Sequence, residues 1–543
     1  MTDTAAPPRP ESFSRKSTGL VRNVTSLQQL VFNASATNPL GAAMVFGLFA
    51  LVLFPRANPY IALLAALGLG AFVWMTFALL TSTIPRVGGD YTLNSRILTP
   101  WLGFSGSLAI VVSSLIAVGI TAWWAGTQGL SPAFSVIGAV NHSQFFTDLG
   151  SDLSGGNRGL SFAVAVAVLA AVSALAIAGT RLIMRVVVVL FLIAATGFAV
   201  DMLILLFTSS DSFRSTVDST AGAGSYAKAV SVAQESGVAT GGHGYDATST
   251  FGAIYTMLGV TLWVWWGTYT AAEFRGAGQR RRTLATMFGA GWGQGLLLLL
   301  ALVVFLNTVG ADFFTGALSG GFEGGGGAVS TAGYAYFGAL VAGGKVIVAL
   351  LSLAFVGWWV PLLYANQVQA GRSIFAWSLD GLLPSWASSV NERRHTPVAA
   401  IAIVFVLASA AAAWVSFSSN FFAIFNTMQL FAYIPIILAG ISALILPWRR
   451  PELFAGSPAD WKVAGVPVLR VAGAGCLAVG VLAFYLVFRF HENLGITGGY
   501  FTGMIVALLA VFPLAGLWYF AARSLQRGAG VDLDLAYTEI PPD

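Results

Sequence analysis

Twelve long apolar stretches constrain this chain more than any other feature. They run over about 24–54, 59–84, 101–127, 160–178, 183–208, 250–270, 284–308, 335–364, 398–417, 421–446, 466–488 and 500–522. A helix needs roughly 20 apolar residues to cross about 30 Å of hydrocarbon. Strands of a membrane barrel would be short and alternating, whereas residues 186–199 are apolar without interruption. The expectation is an all-α integral membrane protein with twelve transmembrane helices. The charge content agrees. Only 9% of the 543 residues are Asp, Glu, Lys or Arg, where a soluble domain carries about 25%. Too few charges remain to clothe a soluble surface, which excludes most soluble enzymes and binding domains.

A net charge of +5 could suggest a nucleic-acid partner, but its distribution points elsewhere. With the N-terminus placed in the cytoplasm, 21 of the 27 Lys and Arg fall in segments on that side, 5 fall on the other, and Lys345 lies within a span. This is the asymmetry of the positive-inside rule. It predicts a multi-pass cell-membrane protein with both termini cytoplasmic and no nucleic-acid partner. Residues 1–23 are polar, basic and Pro-containing, without a cleavable signal pattern, and are read as a disordered cytoplasmic tail. Residues 528–543 are read the same way. The lone Cys476 allows no internal disulfide, and no Cys/His metal cluster or nucleotide-binding motif occurs. No cofactor and no metal are expected.

Two spans look interrupted. The first carries Asn33, Ala34, Ser35, Ala36, Thr37, Asn38 and Pro39 in succession. Proline removes a backbone donor and clashes with the preceding turn, and it pushes the residue before it out of the α region. Freed backbone groups in lipid cost several kcal/mol each unless something satisfies them, so this break should face protein or a water-filled cavity. The sixth span holds a weaker break, Gly259 to Thr261 followed by Trp263, Trp265, Trp266 and Tyr269. Interrupted segments at matching positions of two repeats point to a transporter's binding site. In the seventh span, Gly289/Gly293 and Gly291/Gly295 are spaced for close helix packing. Two long connections stand out on the outer side: a polar one over 209–249, and a Gly-rich, flexible one over 310–333 with Glu323 among glycines 320, 321 and 324–327.

Ionisable groups within spans are costly and few. Asp201 and Lys345 both fall toward the outer side. They read first as interfacial residues, with Lys345 reaching to water, and second as a coupling pair. Glu273 ends the sixth span before Arg275 and Arg280–Arg282, as a gating or fold-stabilising carboxylate. His142, His243, His395 and His491 all fall in loops or near span ends. Nothing in this pattern supports catalysis.

Three segments are similar to the amino acid–polyamine–organocation permeases. The most specific runs from Asn366 to Pro397 and includes Gly371-Arg372-Ser373, Asp380-Gly381-Leu382-Leu383-Pro384, Val390-Asn391 and Thr396-Pro397. The second is Ile84-Pro85-Arg86-Val87-Gly88-Gly89-Asp90-Tyr91 with Pro100 to Phe104. The third and weakest is Ala272-Glu273-Phe274-Arg275. The resemblance implies a five-plus-five inverted-repeat fold: a first repeat over about 24–208, a second over 250–446 and two extra helices over 466–522, within a transporter domain spanning 24–527. It also implies alternating access, with an amino-acid carboxylate and amine held on backbone groups of broken helices 1 and 6. The chain departs from the family pattern where Pro39 stands in place of a glycine. Ala194 occupies the position of a helix-five lysine found in some members, and Ser352 has no adjacent Ser/Thr, which leaves a sodium site unsupported.

The expected protein is therefore a secondary transporter of an amino acid or related organic amine, with proton coupling or exchange favoured over sodium. The expected substrate site comprises Asn33, Ser35, Ala36, Thr37, Asn38, Gly41, Thr261, Trp263, Trp265 and Trp266, though packing roles for the tryptophans are as well founded as substrate contact. Asp201, Glu273 and Lys345 are the coupling or gating candidates. A same-fold permease for a nucleobase or other small solute, and a non-transporting membrane sensor, remain open.

Overall fold

The computed structural model describes residues 18–239, 244–322, 336–529 and 531–538. His243, Glu323, glycines 324–327 and residues 1–17 of the N-terminal tail lie outside the described residues. Among the described residues, twelve helices are long and apolar enough to cross a membrane. They are helix 1 (Ser26–Leu53), helix 2 (Pro59–Thr83), helix 3 (Pro100–Asn141), helix 4 (Arg158–Ala178), helix 5 (Thr180–Leu206), helix 6 (Ala247–Thr270), helix 7 (Arg280–Val309), helix 8 (Lys345–Leu379), helix 9 (Val398–Phe417), helix 10 (Phe421–Arg449), helix 11 (Val468–Arg489) and helix 12 (Gly498–Gly528).

The packing follows a pseudo-two-fold pattern. Helix 1 meets helix 6, helix 2 meets helix 7, helix 3 meets helix 8, and helix 4 meets helix 9. The contact of helix 3 with helix 10 is mirrored by that of helix 8 with helix 5. This is the relation expected of two inverted five-helix repeats, with helices 11 and 12 added. Burial sorts the helices in the same way. The apolar window of helix 1 is 83% buried, whereas that of helix 12 is 22% buried and faces outward.

Local sequence explains the element ends. Thr25 caps helix 1 in a reciprocal box with Gln28, satisfying two end groups. Asn58 caps helix 2 and Pro59 opens it. Helices 4 and 5 are joined by Gly179 alone, whose φ of 138° suits a residue without Cβ. In helix 7, a Cβ on Gly291 would run into Trp74 and one on Gly295 into Leu67, so this pair lets helix 2 approach closely. Gly293 has open space beside it.

The structure corrects several boundaries. Helix 3 continues past 127 through a π-turn at Ala125–Leu130 to Asn141. Helix 8 begins at Lys345 and runs to Leu379, so Arg372 is buried inside a helix and does not lie in a loop. The connection after helix 5 contains two helices, Ser210–Ala221 and Ser225–Glu235. Their amphipathic spacing is short and was masked by the polar composition. Residues 311–322, within the Gly-rich stretch, also form a helix, Ala311–Phe322. The C-terminal tail is not free either. Leu533–Thr538 is helical, with Leu533, Ala536 and Tyr537 buried. Three apolar side chains on one face of a single turn suffice to dock it.

Candidate functional site

Both interruptions are real, and they meet. Helix 1 stops at Ala36 and restarts at Leu40. Between them Asn38 takes a left-handed φ of 53° ahead of Pro39, a conformation that Asn tolerates better than most residues. Helix 6 is α-helical to Thr261 and then tightens into a 3-10 segment, Leu262–Thr270. Side chains satisfy the freed carbonyls. Gln294 Nε2 of helix 7 donates to Thr37 O (3.2 Å) and Asn38 O (2.7 Å). Asn38 Nδ2 and Trp263 Nε1 both donate to Gly259 O at 2.8 Å. Trp74 Nε1 of helix 2 donates to Leu262 O at 3.0 Å. The cost of breaking two membrane helices is thus met by four side chains.

A cavity of about 40 Å³ sits against the two breaks. Ala36, Asn38, Trp263 and Trp266 line it, as the sequence suggests, together with Ser113, Thr121 and Trp124 of helix 3, Asn366 of helix 8, and Phe425 and Gln429 of helix 10. No charged side chain lines it. A water needs about 10–15 Å³ of such space, so the cavity has room for only a few waters.

The other expected residues have structural duties. Ser35 Oγ donates to Val31 O within its own helix (2.7 Å), as Thr261 Oγ1 does to Met257 O (2.9 Å). Asn33 Oδ1 accepts from Gln29 Nε2 at 2.8 Å. Gly41 lies flat against the Trp358 indole, where a Cβ would collide. Trp265 stacks on Phe77 at 4.1 Å. Thr37 is buried beside the break, and its hydroxyl has no partner among the described residues. Asp201 and Lys345 are not paired. Asp201 is fully buried and accepts from Ala339 N at 2.7 Å, while Lys345 is exposed. Sequence reasoning missed Gln294, Ser113, Thr121 and Gln429. Their signal is a polar side chain inside an otherwise apolar run, which the search for breaks passed over.

The cavity is sealed on both sides. On the side that carries the segment from Thr18 to Thr25 and the helix Leu533–Thr538, the terminal side, the seal is polar. Glu273 pairs with Arg372 at 2.5 Å, both side chains being buried. Val24 N donates to Glu273 O and Arg275 N to Val24 O, locking the N-terminal segment onto the end of helix 6. Tyr269 donates to Asp90 Oδ1 at 2.5 Å. Gly89, at φ 53°, lies close under the Tyr269 ring. Arg96 binds Asp380 at 2.7 Å, and Tyr91 donates to the same carboxylate at 2.8 Å and meets Tyr537 OH at 2.9 Å. Burial pushes the Asp90 carboxyl up to about 7. It also raises the Tyr91 and Tyr537 hydroxyls, with the Asp380 charge adding to both. On the far side the seal is aromatic. Phe46 stacks on Phe425 (5.7 Å), Phe421 on Phe425 (5.6 Å), and Phe49 meets Phe422 edge-on (5.4 Å). Only about 20 Å³ remains open among them.

Two broken helices meeting at a sealed cavity between inverted repeats is the architecture of a membrane transporter. The family model described as amino acid permease matches residues 26–512, and the chain belongs to that family. No curated protein matches it. The membership carries a small-molecule substrate and a membrane setting, and it points to transport as the activity rather than catalysis.

Proposed function

We propose that this permease carries an amino acid or a related organic amine across the cell membrane by alternating access, with the terminal side facing the cytoplasm. The observation that supports this reading is the central cavity, where Asn38, Trp263 and Trp266 of the two broken helices face Asn366 and Trp124. Alternating access then amounts to opening one seal while the other stays shut. The closed cavity must expand to admit a substrate, so binding and wall movement are coupled. Substrate is held by amide, hydroxyl and indole groups, without an ion pair. The arginine-rich terminal side matches the cytoplasmic bias of positive charge.

Proton coupling or exchange fits the residues better than sodium coupling. Asp201 supplies a buried carboxylate whose second oxygen has no partner among the described residues, and it is our candidate for the titrating group. Glu273 acts as the gating carboxylate. Lys345, exposed on helix 8, has no part in the coupling reading. Uptake of a labelled amino-acid panel into proteoliposomes, with and without a pH gradient, tests these claims. Uptake of at least one member, abolished by Trp263→Ala, is expected. Failure across the panel sinks the substrate claim, and sodium-dependent uptake indifferent to pH sinks the coupling claim.

A second reading has its own support. Pro39 offers no N–H, and the carbonyls of Thr37, Asn38 and Gly259 are already engaged by side chains. That leaves little backbone for a zwitterion and favours a neutral planar solute such as a nucleobase between the indoles. The same proteoliposomes, offered labelled nucleobases, separate the two.

A further inference from the structure

A second and larger cavity lies on the terminal side, away from the transport pathway. It measures about 520 Å³ and opens between the N-terminal segment and the start of helix 5. Three arginines line it: Arg181 and Arg185, one turn apart on helix 5, and Arg275 just beyond helix 6. All three are exposed. None has a carboxylate partner among the described residues, and no Asp or Glu lines the cleft. Five other arginines of this side are neutralised: Arg96 by Asp380, Arg372 by Glu273, Arg450 by Glu452, Arg523 and Arg527 by Asp534. Of the remaining polar lining, Thr25 and Gln28 cap one another, Arg275 Nε holds Arg22 O at 3.1 Å, and Asn23 Oδ1 has no partner among the described residues. Three guanidiniums with free donors therefore converge on one space.

The floor of this cleft is aliphatic. Leu27, Val188 and Val189 line it, and Val189 is 54% exposed. Leu192 and Ile193, on the next turn of helix 5, are exposed as well, at 54% and 49%, and continue the apolar surface toward the membrane interior. The cleft thus offers cations at the level of the membrane boundary and a hydrocarbon track below them. A phosphate ester satisfies the cations, because guanidinium forks match phosphate oxygens. Only an amphiphile satisfies both parts. We propose that this cleft binds the phosphodiester headgroup of an anionic phospholipid, with an acyl chain laid along Val188, Val189 and Leu192. Basic pockets between membrane helices suit such headgroups. The bound lipid bridges helix 5 to Arg275, whose backbone N–H holds Val24, so it clamps the polar seal closed.

The test uses the full-length protein in neutral phosphatidylcholine micelles titrated with phosphatidylglycerol, read by thermal shift and by lipid adducts in native mass spectrometry. Wild type is expected to retain phosphatidylglycerol and to melt higher with it. The double variant Arg181→Gln/Arg185→Gln touches no hydrogen bond of the fold and should bind the lipid about 30-fold more weakly, at roughly a fivefold loss per cation near the membrane surface. A control pair, Arg281→Gln/Arg393→Gln, removes two exposed cations from the same side and should leave binding unchanged. Equal loss in the control would mean diffuse surface charge and overturn the site. Unchanged binding in the first variant would overturn it too. Inorganic phosphate and glycerol phosphate form the last arm: a shift matching that of the lipid would assign the cleft to a soluble anion and overturn the lipid claim.

Discussion

The two seals of the permease close the same cavity by opposite physics. The terminal seal is built from buried charges and hydroxyls: Glu273 with Arg372, Asp380 with Arg96 and Tyr91, Asp90 with Tyr269. Losing one partner of such a pair strands the other in a dry interior. The far seal is built from phenylalanines of helices 1 and 10, with Trp124 against Phe46 at 4.2 Å. Those contacts are non-directional and can slide. On the proposed alternating-access reading, the polar seal is a latch with discrete open and shut states, and the aromatic seal a plug that deforms by degrees. The latch is the side where pH, charge and lipid act. The plug is the side where side-chain volume acts.

The sharpest way to break this contrast is Glu273→Ala. It leaves the Arg372 guanidinium buried and unpaired, and a loss of about 3–5 kcal/mol is expected in unfolding experiments. A loss under about 1 kcal/mol would mean that the latch carries no buried charge. Next comes the pH response of Asp90. Its folded-state value of about 7 lies well above the ordinary range of an aspartate, so the folded protein holds this proton more tightly than the unfolded chain. That contribution is complete below about pH 4 and is lost as pH rises through 7, by up to about 1.4 kcal/mol per pH unit in between. Asp90→Asn should flatten the melting temperature between pH 4 and 7 and melt above wild type at pH 8. Parallel curves for the two proteins would remove Asp90 from the latch.

On the far side, Phe425→Ala should destabilise by about 1–3 kcal/mol, less than a fully buried Phe, because Phe425 is half-buried. Its larger effect is on access. A Ser113→Cys probe in the central cavity should react faster with a thiol reagent applied from the far side, while the native Cys476 stays buried and silent. Unchanged labelling would show that the phenylalanines are packing and not a plug. The smallest effect is expected for Tyr537→Phe, which removes one hydrogen bond to Tyr91 and should cost about 0.5–1.5 kcal/mol. Faster proteolysis of the C-terminal helix would accompany it if that helix braces the latch.

The segments that mark the family turn out to be the latch itself. Arg372 and Asp380 stand in the Gly371–Pro384 motif, Gly89, Asp90 and Tyr91 in the Ile84–Tyr91 motif, and Glu273 in the third. They were legible as motifs because they are short and local. Their partnerships were not, because Asp90 and Tyr269 are separated by 179 positions and Arg96 and Asp380 by 284. The break in helix 1 was legible from Pro39, since proline acts on its own backbone. Its satisfaction by Gln294 was not, since a single glutamine in an apolar run says only that it needs a partner. The same limit applied to Asp201 and Lys345. Their similar depth reads first as interfacial placement and second as a pair, yet Asp201 is fully buried and holds the Ala339 amide instead.

By itself, the sequence determined that this chain is a bundle of twelve membrane helices, that its first helix is broken, and which residues are too polar to face lipid. Those properties follow from hydropathy, helix length and proline geometry, all of which act over a few neighbouring residues. Only the tertiary structure decided which polar groups answer one another, which tryptophans face the cavity, and that one end is latched by charge while the other is plugged by aromatic rings. The physical reason is that hydrocarbon demands satisfaction of every buried polar group but does not say from where. The folded packing of distant helices supplies the partners.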